Sequence, residues 1–175
     1  MINRFRRSFH NLFALVIGID TYKNTDNHNL SNLKGAVADA DAMVDFLRRG
    51  LQVPDRNVRV LRNERATRKE IINAIASLGS REDIPKNSPI LIYYAGHGAT
   101  SKHTAYALPN TSTPLRSPNF EVLVPSDIDV GSKQVPDSGA QVTGIADYEI
   151  RHRLNQVAKQ KGNNIVGSWQ GINSF

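Results

Sequence analysis

With 175 residues, 39% of them hydrophobic, the chain has the length and apolar content of one globular domain. A net charge of +6 raises nucleic acid as a partner, but Arg4, Arg6 and Arg7 supply half of it, and the remainder forms no basic stripe interleaved with aromatics, so nucleic-acid binding is not expected. The cysteine count of zero excludes disulfides, thiolate metal sites and thiol catalysis by these residues. No apolar run approaches the ~20 residues of a membrane span, and the N-terminus lacks the ordered parts of a signal peptide. The first twelve residues are expected to be a solvated basic arm, and the chain cytosolic or nuclear with no membrane partner.

Phe13 to Asp20, FALVIGID, is an apolar run closed by Gly and Asp, which predicts a first buried strand followed by a polar loop over Thr21 to Ser31. From Leu33 to Arg49, the residues Leu33, Ala36, Val37, Ala40, Met43, Val44 and Leu47 recur at helical spacing, with Gly50 as a stop. Asp39 and Asp41 flank that apolar stripe on opposite sides and Asp45 points away from it. Asn57 to Asn63 is short, β-branched and partly alternating, as in a strand nearer a sheet edge. Thr67-Arg68-Lys69-Glu70 predicts a capping box opening a helix whose buried stripe is Ile71, Ile72, Ile75 and Leu78, with Gly79 as its end.

Ser88 to Gly98, SPILIYYAGHG, predicts a buried central strand that stops at Gly96-His97-Gly98 and holds an imidazole at its tip. The order β-α-β-α-β calls for a parallel sheet with right-handed crossovers, which places chemistry at the strand ends. Residues 99 to 120 predict a long loop around a short strand at Thr104 to Leu108. Glu121 to Pro125 is another brief apolar element, and a polar stretch runs on to Thr143. A third helix is predicted from Ile145 to Lys161 on the spacing of Ile150, Leu154, Val157 and Ala158. Gly162 closes it, and Arg151, Arg153, Lys159 and Lys161 lie on its solvated face. Asn163 to Val166 turns toward a fourth strand that the segment GSWQG is expected to interrupt after two apolar residues. His10, His28, His97, His103 and His152 show no ligand-like pairing, so no metal site is expected, and LVIGID is followed by no phosphate-binding glycine motif.

Taken in order, ALVIGID, GAVADADAMVDFL, ATRKEI, YYAGHG, LVPSD and GIADYEIRHRLNQVAKQKGNNI resemble the caspase-domain cysteine peptidases, and among them the metacaspases, over roughly residues 13 to 165. The resemblance implies a three-layer α/β caspase-like (caspase–haemoglobinase) sandwich with a mainly parallel sheet. It implies peptide-bond hydrolysis by a Cys-His dyad, with His97 as general acid/base. The Gly98 backbone N–H is implied as the oxyanion-hole donor. Cleavage after Arg or Lys is implied, with Asp39 as the carboxylate of a pocket for the basic side chain; the helical wheel alone does not separate Asp39 from Asp41. Polypeptides are the implied substrates. No cofactor is implied as a fixture; calcium dependence, common among metacaspases, is a family expectation to which no residue of this chain is assigned.

The resemblance ends at Ile165. Family members continue GNNI as an apolar strand ending in Asp-Cys-Cys-His-Ser-Gly, whereas VGSWQGINSF follows here. The expectation is therefore a caspase-like domain over 13–165, incomplete at its C-terminal end, an unrelated tail over 166–175, and a chain inactive for want of the nucleophilic cysteine. Ser168 is no substitute, since nothing indicates a base arrangement for a hydroxyl. The alternative is a non-catalytic fragment that pairs with an intact homologous chain.

Overall fold

The structure, a computed structural model, describes residues 9–23, 30–102, 119–128 and 144–173. The strand expected at Thr104 to Leu108, His28, His103 and the basic residues Arg4, Arg6 and Arg7 lie outside the described residues.

β1 (Phe13–Gly18) is buried along its whole length, as its unbroken apolar sequence requires of a central strand. It pairs in parallel with β2 (Val58–Arg62) on one side and with β3 (Ile90–Lys102) on the other. Side chains alternate between two cores. Phe13, Leu15 and Ile17 of β1 and Ile90, Ile92 and Tyr94 of β3 face α2 (Arg68–Ser80) and α3 (Asp147–Lys161). Ala14, Val16, Tyr93 and Ala95 face α1 (Ala36–Asp45) through Ala36, Ala40 and Val44. The result is a three-layer α/β sandwich with a mainly parallel sheet, the expected class. Each fully buried Leu or Ile contributes about 1.5–3 kcal/mol.

Two local signals behave as the sequence implies. Thr67 Oγ1 accepts the Glu70 N–H at 3.2 Å and opens α2. Glu70 does not close the reciprocal half of the box; its carboxylate meets Arg59 at 3.4 Å instead. Gly162, at φ +95°, ends α3 in a backbone conformation that favours glycine. No described helix is long and apolar enough to cross a membrane.

Four expectations are corrected. The first helix begins at Ala36 rather than Leu33, because Leu33 N–H bonds the Asp20 carbonyl (2.8 Å) and Asp20 Oδ1 accepts the Ala36 N–H (2.8 Å). A carboxylate from the loop after β1 thus supplies the cap that Gly35 lacks. Gly79 is no stop but a buried position inside α2, packed beneath α3. β3 does not end at Ala95: it runs through His97 to Lys102, because its second half pairs antiparallel with β4 (Asn119–Leu123), which in turn pairs with β5 (Ile145–Ala146). Last, the segment from Ile165 forms a strand of nine residues, β6 (Ile165–Asn173), parallel to β3 in the register Ile90↔Ile165 to Gly98↔Asn173. Strand pairing uses the backbone, so the glycines that interrupt the apolar pattern do not interrupt the ladder. The division expected after Ile165 falls one residue into this strand.

The side of β3 on which each partner lies follows from parity. The carbonyls of Pro89, Ala95 and His97 accept from Phe13, Ile19 and Val124 N–H, which puts β1 and β4 on one side, end to end. Ile90 N–H donates to Asn164 O, so β6 lies on the other side. Its ladder is carried by main chain, for Val166 remains 59% and Trp169 39% exposed.

Candidate functional site

β1 and β6 end alongside the middle of β3, beside the N-terminal end of α1, at the C-terminal edge of the parallel part of the sheet, where open parallel sheets bind ligands. His97 sits there, 2% exposed. Its Nε2 lies 2.7 Å from the Ser31 carbonyl oxygen, which can only accept, so the ring proton is assigned to Nε2 and the lone pair to Nδ1.

Two tyrosines bracket the same residue. Tyr22 Oη accepts the His97 N–H at 2.8 Å and donates to Ile19 O at 3.3 Å, with its ring centroid 5.0 Å from the imidazole. Tyr94 Oη donates to His97 O (2.8 Å) and Val124 O (2.9 Å). Burial pushes Tyr22 up to about 12, against the partial opposition of its bonds to His97 and Tyr94. Burial raises Tyr94 as well, and the neighbouring Tyr22 adds to it. Both hydroxyls therefore keep their protons throughout the neutral range. Gly96 lies under them: a Cβ there would stand 2.6 Å from Tyr94 Oη and 3.0 Å from Tyr22 Oη.

The loop after β1 is fixed to this assembly by side-chain amides. Asn63 Oδ1 accepts from the N–H groups of Asp20 (2.9 Å) and Thr21 (3.2 Å), and Asn32 Oδ1 accepts from Tyr22 N–H (3.0 Å). The last bond joins the turn that carries Tyr22 to the segment that carries Ser31.

Next to Gly96 opens a cavity of about 410 Å³ lined by Leu33, Lys34, Asp39, Ala95, Trp169 and Gln170, among others. The structure separates the two aspartates that the helical wheel leaves equivalent. Asp39 is exposed into this cavity, whereas Asp41 is bound by Arg62, whose Nε donates to it at 2.7 Å. Tyr93 Oη donates to Gln170 Oε1 at 2.6 Å across the β3–β6 pair; burial first, and the Asp39 charge second, push the pKa of this hydroxyl up. Gly98 faces β6 by the same parity as Ile90 and is set opposite Asn173; a Cβ on Gly171 would come within 3.3 Å of its nitrogen.

His97, Gly98 and Asp39 thus gather at one end of the sheet, His97 and Gly98 on β3 and Asp39 on the cavity beside them. Sequence reasoning passed over Asp20, Tyr22, Ser31, Asn32, Asn63, Tyr94 and Gln170. The one available signal was the Tyr pair just ahead of Ala95-Gly96-His97-Gly98, since a buried tyrosine needs a partner for its hydroxyl. Among the described residues no three His, Asp or Glu side chains converge as a metal site would require, so calcium ligands are not assigned.

The family model described as "Caspase domain" matches residues 11–128. Among solved structures, the crystal structure of protein GSU0716 from Geobacter sulfurreducens is similar, with a TM-score of 0.58 at 19% identity over 90% of this chain and 48% of that one. The chain spans about half the length of that protein. No curated protein matches it.

Proposed function

The chain belongs to the caspase-domain family, and from that premise we propose that it carries the base and the basic side-chain pocket of a metacaspase-type cysteine endopeptidase without the nucleophile. The observation that supports this most is the posture of His97: a buried imidazole where β1 ends alongside β3, its Nε2 bound by the Ser31 carbonyl, next to Gly96, which lines a cavity that contains a carboxylate.

In such a site Nδ1 takes the thiol proton as the sulfur attacks the scissile carbonyl, then returns a proton to the leaving amine. The Gly98 N–H, the oxyanion donor the family resemblance implies, is directed at β6 by the register, so it serves the oxyanion only where the substrate carbonyl takes the place of that strand's end. The Asp39 carboxylate receives the guanidinium or ammonium of the residue before the scissile bond, and Trp169 offers an apolar wall for its stem. The 175 residues contain no cysteine, and the position in register with His97 on β6 is Ile172. Ser168 pairs with Tyr93, four residues from that position, or roughly 13 Å along the strand. As it stands the chain is therefore inactive toward peptides.

Binding and chemistry separate in the test. Benzamidine, an arginine side-chain mimic, is expected to shift the amide resonances of Gly96 and Gln170, with affinity falling about tenfold or more in Asp39→Asn, as for loss of a charge-assisted bond, and unchanged in Asp41→Asn. Equal binding by both variants would remove Asp39 from the pocket.

A second reading, a non-catalytic partner of an intact caspase-like chain, is favoured by the outer edge of β6. Among the described residues that edge is unpaired, and its nine residues contain neither a charge nor a proline to discourage strand addition.

A further inference from the structure

We propose that Tyr22 and Tyr94 are positioning residues for His97: their hydroxyls hold its backbone from both ends and thereby fix the tautomer and direction of the imidazole. The inference rests on the dyad reading for its use, but its geometry stands without it.

The reason lies in where β1 stops. The β1–β3 register ends at Gly18↔Ala95, and Ile19 N–H to Ala95 O is its last cross-strand bond. The next bond of a parallel ladder would run from His97 N–H to Ile19 O. It is absent in that direct form; the Tyr22 hydroxyl stands between them, accepting from His97 N–H at 2.8 Å and donating to Ile19 O at 3.3 Å. A phenol has been inserted into the ladder at the single residue that carries the imidazole. The two strands are wedged apart at that point, and the main chain of His97 is placed by a side chain rather than by β1.

On the other end, Tyr94 Oη reaches over Gly96 to the His97 carbonyl, which also accepts Val124 N–H at 3.1 Å. Only glycine leaves room at position 96 for both hydroxyls. With the backbone held at N–H and C=O, Nε2 of the side chain is brought to the Ser31 carbonyl. Tyr22 holds that target too, because its own N–H bonds Asn32 next to Ser31. One residue therefore sets both the origin of the imidazole and the acceptor it points to. If Tyr22 loses its hydroxyl, either His97 N–H closes directly on Ile19 O and draws the ring away from Ser31, or a buried N–H is left without its acceptor.

Imidazole nitrogen spectra of histidine-labelled chain test this without any need for catalysis, with His97→Gln identifying the resonances. The unmodified chain is expected to show His97 in the Nε2–H form. In Tyr22→Phe the ratio of Nε2–H to Nδ1–H tautomer should fall about tenfold, the equivalent of one lost hydrogen bond, with faster exchange of the ring proton. Tyr94→Phe should move it in the same direction by less, since Val124 N–H still holds the carbonyl. Tyr93→Phe, whose hydroxyl serves Gln170, should leave it unchanged. A folded Tyr22→Phe chain with the tautomer ratio and ring-proton exchange of the unmodified chain overturns the proposal. Should that variant not fold, hydrogen exchange of the unmodified chain decides: a His97 amide as protected as that of Ile92 supports the clamp, and one that exchanges like an exposed amide refutes it. Failure of the dyad reading in a cleavage assay would leave these results untouched.

Discussion

The two flanks of β3 are built differently. On the β1 side, Asp20, Tyr22, Asn32, Asn63 and Tyr94 are hydrogen-bonded around His97, over a core in which Leu15, Ile17 and Ile92 are wholly buried. On the β6 side an uncharged strand is attached largely by its backbone, with Ile165 packed at the edge of the core and Val166 and Trp169 exposed. The base of the site is thus set by one flank alone. What stands on the other flank is expected to change in sequence without disturbing the imidazole.

Substitutions on the two flanks should differ accordingly. Ile92→Ala, at the centre of β3, is expected to cost about 4 kcal/mol in chemical denaturation, from lost burial plus the cavity left behind. Alkali should act next most strongly, and on the β1 flank. Tyr22 is raised from 10.0 to about 12 in the folded chain, so its stabilisation is complete below about pH 10 and disappears as pH rises through about 12, a loss on the order of 3 kcal/mol. Tyr94, shifted in the same direction, steepens that loss, and denaturation midpoints from pH 9 to 12 measure it. Gly96→Ala should cost about 2 kcal/mol by forcing the two hydroxyls off the added methyl group, again read as a shifted midpoint. Val166→Ser, on the exposed strand, should stay within about 0.5 kcal/mol of the unmodified chain. A cost above about 1.5 kcal/mol there would mean that β6 is integral to the core, and the contrast would fail.

The same contrast explains what was legible in the sequence. β1, β3 and the helices that cover them announce themselves through apolar runs and helical spacing, because packing of side chains holds them. His97 was singled out by the apolar run that stops at Gly-His-Gly, and Gly98 by the family pattern around YYAGHG. β6 was not foreseen, since a ladder made by main chain against a neighbour leaves no period in its own residues. The loop after β1 was legible as polar but not as structure. Which N–H group the Asn63 side chain would receive depends on strands brought together from more than forty positions apart, as its bond from the Asp20 N–H shows with a separation of 43. The choice between Asp39 and Asp41 was open for a like reason: it is made by Arg62 on β2, a partner the helical wheel does not contain.

The central claim is that His97 and its pocket are ready and only the nucleophile is missing. Cleavage of fluorogenic peptides ending in Arg or Lys, by the unmodified chain and by Ile172→Cys, tests it most directly. The unmodified chain should give no turnover above that of His97→Ala. The new cysteine, in register with His97, should bring turnover that His97→Ala abolishes and Asp39→Asn weakens about tenfold or more. Cleavage by the unmodified chain that disappears in His97→Ala would contradict the account, because a chain without cysteine would then be supplying a nucleophile of its own.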